Sequence, residues 1–432
     1  MIQWTPEQKP AYNPNELRYW DGADLLSEER RQFDICHGCR LCFNLCPSFP
    51  ALFELTDAVD GDMHQLGESQ FQTVENLCFQ CKACYVACPY VDPHDYQMDV
   101  PRLLMRSKFV RAQKEGVKFK DKFLGNQDFL GRISSKFAPL VNLGNRTNVL
   151  RKILELFLDI HKNAQLPNYH FQTFSKWFRN SQKERDKHSV EPTGKVVFFH
   201  TCTVNYNEPD IGKACIKILE KNNIQVVVPD QECCGMPFVD AGDYSNVKKK
   251  ANNNIGKLFD WVDKGYEIVT PSPSCALMLR NEYPVLSDHS DKASRISEST
   301  FEFGHYLSRL DRANKFNKEF AKGLGNVNLH VACHTRAQSV GNHSARLLGQ
   351  IPDTNITAIE RCSGHDGAWG VNKNYYELSL KVGGKLFNNL KENDPSLLVT
   401  DCPQSAMQIN HAMGIKPVHT AIALLKAYGF SD

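Results

Sequence analysis

The chain has 432 residues, of which 41% are hydrophobic and 23% charged, and its formal net charge is +2. These values are typical of a globular protein with room for about three domains. No stretch approaches about 18 consecutive apolar residues, and the polar start lacks a signal-peptide core, so we expect a cytoplasmic protein. Its sixteen cysteines are therefore expected to bind metal in a reducing compartment.

Eight cysteines near the start form two copies of the spacing Cys-x-x-Cys-x-x-Cys-x-x-x-Cys-Pro. In bacterial ferredoxins with this spacing, two [4Fe-4S] clusters form and the fourth cysteine of each run binds the other cluster. Structural zinc and disulfides are the rival interpretations, but zinc sites pair two Cys-x-x-Cys units and do not use this pattern. We predict cluster I on Cys36, Cys39, Cys42 and Cys88, and cluster II on Cys78, Cys81, Cys84 and Cys46.

The next segment, 102–193, is basic and shows mostly helical patterning. From Arg102 to Lys195 there are 20 Lys or Arg against 8 Asp or Glu. This excess indicates either a solvated helical linker or a surface that docks an acidic protein or anionic lipid. Nucleic acid is not expected as a partner, since no recognition motif accompanies the charge.

One apolar stripe stands out in this basic segment, at 148–163. We expect the stripe to pack as core on a neighbouring domain; contact with the membrane interface is the alternative. The segment 124–146, which contains Gly and Pro, is expected to be connecting structure that docks its apolar residues irregularly. The stripe consists of Val149, Leu150, Ile153, Leu154, Phe157 and Ile160.

From Gly194 onward the sequence contains a duplication with a period of about 130 residues, which indicates two homologous domains. Short apolar runs alternate with helical patterns in each copy, and this predicts parallel βαβ units. Loops with cysteines follow the strands, where open α/β sheets place their ligand sites. Cys215 lies inside a helical pattern and is expected to be a core residue. The loop cysteines are Cys202, Cys233, Cys234 and Cys275 in copy one, and Cys333, Cys362 and Cys402 in copy two.

Three segments of the duplicated half, ECCGM (232–236), SPSC (272–275) and ERCSGHDGAWG (360–370), resemble the CCG domains of the heterodisulfide reductase B-chain group. Two ferredoxin motifs followed by two such domains are most similar to the iron–sulfur C-chain family of anaerobic glycerol-3-phosphate dehydrogenases. The resemblance implies an α-helical ferredoxin domain and marks Gly235 and Gly364 as cofactor-binding positions. It also implies an electron-transfer subunit, one that links a flavoprotein dehydrogenase of the glycerol-3-phosphate or 2-hydroxy acid type to a quinone.

Both copies depart from the full CCG pattern of five thiolates. Copy one has Ser272 at the fifth position, and its four thiolates suffice for one ordinary cluster, cluster III. In copy two Ser363 and Ser405 replace two cysteines, which leaves three thiolates for a [3Fe-4S] cluster or for a [4Fe-4S] cluster with an open, oxygen-ligated or nitrogen-ligated iron. A metal-free copy two that serves contacts with other subunits is the alternative. The neighbours that could complete cluster IV are His334, His365 and Asp401.

We therefore expect an α/β protein with an α-helical ferredoxin-like domain at 1–101, the basic segment at 102–193, and CCG domains at 194–325 and 326–432. The chain has no Gly-x-Gly-x-x-Gly that opens a helix after a strand, so a flavin would belong to a partner. Two alternatives remain open: a soluble electron donor for a rubrerythrin-like peroxide-reducing system, and a non-enzymatic redox sensor or cluster carrier. No catalytic site for an organic substrate is evident, and peripheral contact with the inner face of the cell membrane is one prediction for the basic segment.

Overall fold

A computed structural model describes residues 4–185 and 192–430. The helices of the first half are α1 (Gly22–Cys39), α2 (Ser48–Asp57), α3 (Glu68–Asn76), α4 (Ala83–Ala87), α5 (Val100–Glu115), α6 (Phe119–Gly125), α7 (Gln127–Lys136), α8 (Ala138–Gly144), α9 (Asn148–Leu158) and α10 (Phe174–Arg185). Short 3₁₀ helices lie at Leu17–Trp20 and Met63–Gln65.

The second half alternates strands and helices. Its strands are β1 (Gly194–Phe198), β2 (Ile224–Val227), β3 (Glu267–Thr270), β4 (Thr300–Glu302), β5 (Gly325–His330), β6 (Thr354–Ile359) and β7 (Leu397–Thr400). Its helices are α11 (Cys202–Tyr206), α12 (Pro209–Lys221), α13 (Met236–Asp240), α14 (Tyr244–Asp263), α15 (Pro273–Leu277), α16 (Tyr283–Leu286), α17 (Ser290–Glu298), α18 (Phe303–Arg312), α19 (Cys333–Ala337), α20 (His343–Leu348), α21 (Gly367–Val371), α22 (Tyr376–Asn389), α23 (Pro403–Met413) and α24 (Thr420–Ala427).

The N-terminal cysteine region is helical, as predicted. Helix α1 begins at a side-chain cap, because the Asp21 carboxylate accepts hydrogen bonds from the backbone N–H groups of Ala23 and Asp24. It ends where Arg40 adopts a left-handed conformation, with φ of 52°. The chain therefore leaves the helix immediately after Cys39. Helices α1, α2, α3 and α5 enclose an apolar core that includes Phe33, Leu52, Phe71 and Leu103.

Two parallel sheets form the second half, which confirms the predicted α/β class. The first sheet has the order β2-β1-β3-β4 and the second has the order β6-β5-β7. In each copy the first strand lies between two others, so its cysteine loop meets the loops of its neighbours at one sheet edge. Strand β4 was not predicted, because its three residues carry too little periodicity to identify a strand.

The two copies share one apolar core. Val196 and Phe198 of the first sheet and Leu329 and Val399 of the second belong to the same cluster of buried side chains. Helices α12 and α24 contact each other within it, and Cys215 on α12 is fully buried there. The predicted core role of Cys215 is confirmed.

The basic segment contains most of α5 and all of α6–α10, and α7 packs against copy one. Residues 124–146 include all of α7 and α8, and the expected docking of apolar side chains is not observed for Phe137, Leu140 and Leu143, which are exposed. Gly131 explains how α7 approaches copy one so closely. A Cβ atom at this position would lie 2.1 Å from the ring of Tyr206, so only a glycine allows this contact.

The apolar stripe of α9 is exposed, and the expectation that it packs as core is wrong. Val149 is 66% exposed and Phe157 71%, whereas only Ile160 of the stripe is buried. The buried anchor of α9 is instead Arg151, whose guanidinium donates hydrogen bonds to the carbonyls of His161, Lys162 and Ala164. We define the apolar face of α7–α9 as Phe129, Ile133, Phe137, Leu140, Leu143, Val149, Leu150, Ile153, Leu156 and Phe157, all of which are exposed.

No helix within 4–185 or 192–430 combines the length and the apolar character that crossing a bilayer requires.

Replacing Gly131 with alanine should separate α7 from copy one, because the new methyl group overlaps the Tyr206 ring. We expect the free energy of unfolding to fall by about 1–3 kcal/mol, measured by chemical unfolding of the anaerobically purified protein. Gly256→Ala on α14 is the matched control, since its Cβ would meet nothing within 4 Å. That variant should be stabilised by up to about 1 kcal/mol. Equal effects of the two substitutions would contradict the packing argument.

Candidate metal centres

The predicted ligands of cluster I converge at the end of α1. The Cys36 thiol lies within electrostatic range of Cys39, Cys42 and Cys88. Cys39 is exposed, and Leu41 and Phe43 beside it are also exposed. The four predicted ligands of cluster I therefore lie close to the protein surface.

The predicted ligands of cluster II surround a cavity inside the helical domain. All four thiols, those of Cys46, Cys78, Cys81 and Cys84, line it together with apolar side chains. The Cys84 thiol is within electrostatic range of Cys78 and Cys46, and also of Cys42 and Cys36, two predicted ligands of cluster I. The predicted ligand sets of clusters I and II are therefore neighbours, and that of cluster II is the more enclosed.

The donor set of the helical domain fits iron–sulfur clusters. Burial raises the pKa of Cys36, Cys81 and Cys84 well above the ordinary thiol value, and coordination to metal is what would keep such thiols deprotonated. All sixteen cysteines are free, so the structure contains no disulfide among them. Within the described ranges, no three His, Cys, Asp or Glu side chains converge on a point that could hold a single metal ion.

The four cysteines of copy one lie in contact at the edge of the first sheet. Sγ of Cys202 is 3.8 Å from Sγ of Cys233, and Sγ of Cys234 is 3.3 Å from Sγ of Cys275. These distances exceed the S–S bond length of about 2.05 Å, and they bring all four predicted ligands of cluster III together.

Asp128 of α7 is a site residue that the sequence did not reveal. Its two carboxylate oxygens each lie 3.0 Å from the backbone nitrogen of Cys233 and accept its hydrogen bond. Lys250 Nζ is 2.6 Å from the same carboxylate and 2.7 Å from Glu232. Asp128 and Cys233 are 105 residues apart, so no local pattern could have indicated this contact.

Copy two brings three thiols together. Cys333 lies within electrostatic range of Cys362 and Cys402. Backbone N–H groups point at two of the sulfurs, from Gly364 to Cys362 at 3.3 Å and from Ser405 to Cys402 at 3.5 Å. Hydrogen bonds of this kind tune the reduction potential of iron–sulfur clusters. The two serines that stand in place of cysteines form a hydrogen bond, with 3.0 Å between Oγ of Ser363 and Oγ of Ser405.

The three predicted candidates for a fourth ligand differ in their surroundings. His334 uses both ring nitrogens, toward Ser274 Oγ at 2.9 Å and the Gln80 carbonyl at 3.2 Å. Asp401 accepts a hydrogen bond from Ser344 Oγ at 2.5 Å and lines a separate cavity with Glu302. His365 is buried, and neither of its ring nitrogens has a hydrogen-bond partner among the described residues.

Buried contacts join the four sites. Among the neighbouring charges that raise the pKa of Cys81 in the helical domain, those of Cys333 and Cys362 in copy two have the largest effect. His334 links the cluster II loop, through Gln80, to Ser274 beside Cys275 of copy one. Gln404 beside Cys402 donates a hydrogen bond to Thr203 beside Cys202. Copy two therefore contacts both cluster II and copy one.

Gly235 and Gly364 close the two motifs in conformations that favour glycine. Their φ angles are 97° and 74°, and a Cβ atom on Gly364 would lie 2.0 Å from the Ser379 carbonyl oxygen. Both glycines thus allow the backbone to adopt a left-handed conformation at the end of the motif. Their role in cofactor binding stays a prediction.

A polar cavity beside copy two was also missed by the sequence analysis. It is lined by Glu302, His305, His330, His343 and Asp401, among others. Burial, reinforced by the nearby Asp401 carboxylate, raises the pKa of Glu302 to about 8. Glu302 accepts hydrogen bonds from Thr335 and Gln338.

Comparison with known proteins follows the same division of the chain. The cysteine-rich CCG domain model matches residues 196–280 and 327–410, and that of the citrate utilization protein B Fer4-like domain matches residues 29–115. The C chain of the anaerobic glycerol-3-phosphate dehydrogenase of Escherichia coli K12 is 30% identical over 315 residues, which cover 70% of this chain and 76% of that protein. The chain belongs to this family of CCG-domain iron–sulfur proteins.

Two further relatives extend the family across dehydrogenases and reductases. Lactate utilization protein A of Bacillus pumilus is 31% identical over 186 residues, 41% of this chain and 75% of that protein. The B chain of the fumarate reductase (CoM/CoB) of Methanothermobacter marburgensis is 25% identical over 228 residues, 51% of this chain and 43% of that protein. The homologues are iron–sulfur electron-transfer subunits of dehydrogenases and reductases.

Cys81→Ala should lower the iron content by at least about one atom per chain, because the three remaining thiolates could hold at most a [3Fe-4S] cluster. Iron and acid-labile sulfide of the anaerobically purified protein measure the effect. Cys215→Ala is the control, because Cys215 is buried in the core at α12, and it should keep the wild-type iron content. An unchanged iron content in Cys81→Ala would refute the assignment of Cys81 to a cluster.

Glu302 should make stability depend on pH. Its pKa in the folded protein is about 8, against an ordinary value of 4.5, so folding favours the protonated carboxyl. The resulting stability is fully present below about pH 4.5 and is lost as the pH rises toward 8. Glu302→Gln should therefore gain stability relative to the wild type between about pH 5 and 8, by up to a few kcal/mol at about 1.4 kcal/mol per pKa unit.

Chemical unfolding at several pH values within that range measures the Glu302 effect. Glu298→Gln, which changes a carboxyl at the surface of α17, is the control and should follow the wild-type profile. Parallel profiles for Glu302→Gln and the wild type would contradict a raised pKa at Glu302.

Proposed function

We propose that this chain carries electrons between a flavoprotein dehydrogenase, of the glycerol-3-phosphate or 2-hydroxy acid type, and a quinone at the membrane surface. The observation that carries the proposal is the position of α7. The carboxylate of Asp128 on this helix holds the Cys233 loop of copy one, while Phe129 and Ile133 of the same helix are exposed to solvent. The proposed site of cluster III thus lies directly behind an exposed apolar surface.

The other end of the proposed electron-transfer path, opposite the α7 surface, is the surface around Cys39. This cysteine is exposed, and exposed Leu41 and Phe43 lie beside it. Exposed apolar side chains beside a redox site suit a protein partner that must approach closely. We assign this surface to the flavoprotein, because the chain has no flavin-binding motif of its own.

Between the two ends the chain provides a sequence of enclosed sites. When bound, iron–sulfur clusters accept and release single electrons at potentials that the surrounding protein sets. The residues keep neighbouring sites in contact through buried groups, as at Cys81 and Cys333 and at Gln404 and Thr203. Burial also excludes water from the sites of cluster II and of copy one, which limits loss of electrons to solvent oxidants.

The apolar face of α7–α9 supports a lipid surface as the second partner. Its side chains are large, and helices with apolar faces and basic flanks lie in the interface of anionic membranes. Of the acidic side chains within 127–158, Asp128 pairs with Lys250, and Glu155 accepts a hydrogen bond from the Lys162 backbone. The exposed surface is thus apolar and positively charged. The exposed charged side chains of residues 127–158 are all basic: Arg132, Lys136, Arg146 and Lys152.

A soluble electron donor for a peroxide-reducing system gives no role to this apolar face. Such a donor would need only the exposed surface around Cys39. Quinone reduction at a membrane uses both ends of the chain, which is why we favour it.

Exchanging Leu156 and Phe157 for aspartate should abolish binding to vesicles of neutral and anionic phospholipid. Each exposed side chain that enters the interface contributes about 1.5–3 kcal/mol, so the double substitution should weaken binding by at least about a hundredfold. Vesicle flotation measures binding. Leu17→Asp, at a residue that is 93% exposed outside the apolar face, is the matched control and should bind as the wild type does.

Reoxidation of the reduced protein separates the two functions. A membrane quinone in vesicles should reoxidise the wild type and the Leu17→Asp control, and should reoxidise the double variant much more slowly. Reoxidation by a rubrerythrin-like protein with peroxide, without any response to quinone, would overturn the proposal. Unimpaired vesicle binding by the double variant would overturn the role of the apolar face alone.

A further inference from the structure

Copy two lacks a fourth sulfur ligand for a complete cluster. Its three thiols, those of Cys333, Cys362 and Cys402, lie near one another. The two serines in the CCG pattern do not supply the missing ligand, because the hydroxyls of Ser363 and Ser405 form a hydrogen bond with each other. A complete [4Fe-4S] cluster would need one more ligand from another side chain.

Two of the three candidate side chains already have other partners. Both ring nitrogens of His334 are occupied, by Ser274 and by the Gln80 carbonyl. One oxygen of Asp401 accepts a hydrogen bond from Ser344, and the other, which has no hydrogen-bond partner among the described residues, lies 3.5 Å from the imidazole of His419. His334 has no free nitrogen, and Asp401 lines the separate cavity with Glu302, so we assign the fourth position to neither.

His365 is different, because it is 4% exposed and both of its ring nitrogens lack partners among the described residues. Three other deeply buried histidines use both nitrogens. His200 bonds to Ser175 and the Thr201 carbonyl, His330 to Thr400 and the Arg361 carbonyl, and His419 to the Pro271 carbonyl and the Ala421 N–H. Among the buried histidines that the structure describes, only His365 has two unpartnered nitrogens.

Buried polar atoms in native proteins are nearly always paired, so an unpaired imidazole indicates a missing partner. His365 follows Cys362 by three residues, beyond the turn that the left-handed Gly364 forms. Imidazole nitrogen is a known ligand of iron–sulfur clusters, as in Rieske centres. Burial and position thus both suit a metal ligand.

We propose that His365 is the fourth ligand of a [4Fe-4S] cluster held by Cys333, Cys362 and Cys402. This inference deepens the proposed function and rests on its premise that copy two holds a cluster. A neutral imidazole in place of a thiolate removes one negative charge from the cluster and its ligands, which raises the reduction potential. Copy two would then be a site of higher potential than the all-cysteine cluster II, whose Cys81 is its neighbour.

Pulsed EPR on the reduced full-length protein, purified anaerobically, tests this ligand. Protein labelled with ¹⁵N-histidine should show a strong hyperfine coupling between the reduced cluster and a histidine nitrogen. The coupling should have the form expected for ¹⁵N in labelled protein and for ¹⁴N in unlabelled protein. His365→Ala should lose this coupling and about one iron atom per chain, since a [3Fe-4S] cluster remains. Cys402→Ala should lose the coupling as well.

His365→Cys protects the test against a folding defect in the alanine variant. It should restore the wild-type iron content, show no strong nitrogen coupling and shift the midpoint potential of one cluster downward. His200→Gln in copy one is the matched control, because His200 is also buried but has both nitrogens occupied. It should keep the nitrogen coupling.

Absence of strong coupling in the labelled wild type, or its persistence in His365→Ala, would overturn the inference. So would an unchanged iron content in Cys402→Ala, which would mean that copy two holds no cluster. These readouts do not involve quinone or lipid. A histidine-ligated cluster in a protein that fails to reduce quinone would therefore refute the proposed function and leave the ligand assignment intact.

Discussion

The loop from Cys78 to Cys84 is the point on which the arrangement of the redox sites depends. Its Lys82 forms an ion pair with Glu282, which is 2% exposed, and its Gln80 carbonyl accepts a hydrogen bond from His334. Removing one partner of a buried ion pair costs about 3–5 kcal/mol, because the remaining charge stays desolvated. These contacts fix the helical domain against both copies. The positions of the predicted ligands of cluster II and of the copy-two thiols are thereby set by the same few bonds.

Glu282 illustrates how this junction tolerates a buried charge. Its burial opposes ionisation, but Lys82 and Arg102 more than compensate and lower the pKa of the carboxyl. Both cations come from the N-terminal half of the chain, and Glu282 belongs to copy one. The interface is therefore held by charges that neither side could bury alone, which makes docking of the domains specific as well as stable.

The thiols place a second constraint on the molecule. Fifteen of the sixteen cysteines lie in loops or close to the ends of helices, while Cys215 alone lies in the middle of a long helix, α12. So many buried thiols gain little from hydrogen bonds, and metal binding would supply much of the free energy that holds their loops in place. Folding of the junction and acquisition of clusters are thus expected to be linked.

Local sequence patterns are enough to predict iron–sulfur chemistry and the α/β class of this protein. The spacing of Cys36, Cys39 and Cys42 is local, as is the alternation of apolar runs with helical patterns after Gly194, so both could be recognised without knowledge of distant contacts. Family membership follows from the same local motifs. Even the candidates for a fourth ligand in copy two, His365 among them, were evident because they lie beside cysteines in the chain.

Which surfaces are exposed and which sites are neighbours depends on contacts between segments that are far apart in the chain. Val149 and Phe157 have the periodicity of core residues, yet they are exposed because Arg151, on the opposite side of α9, makes the buried contacts. The contact of Asp128 with Cys233, and the proximity of Cys81 to Cys333, join residues more than a hundred positions apart. The partners of a side chain depend on packing between distant segments, and periodicity along the chain carries no information about that packing.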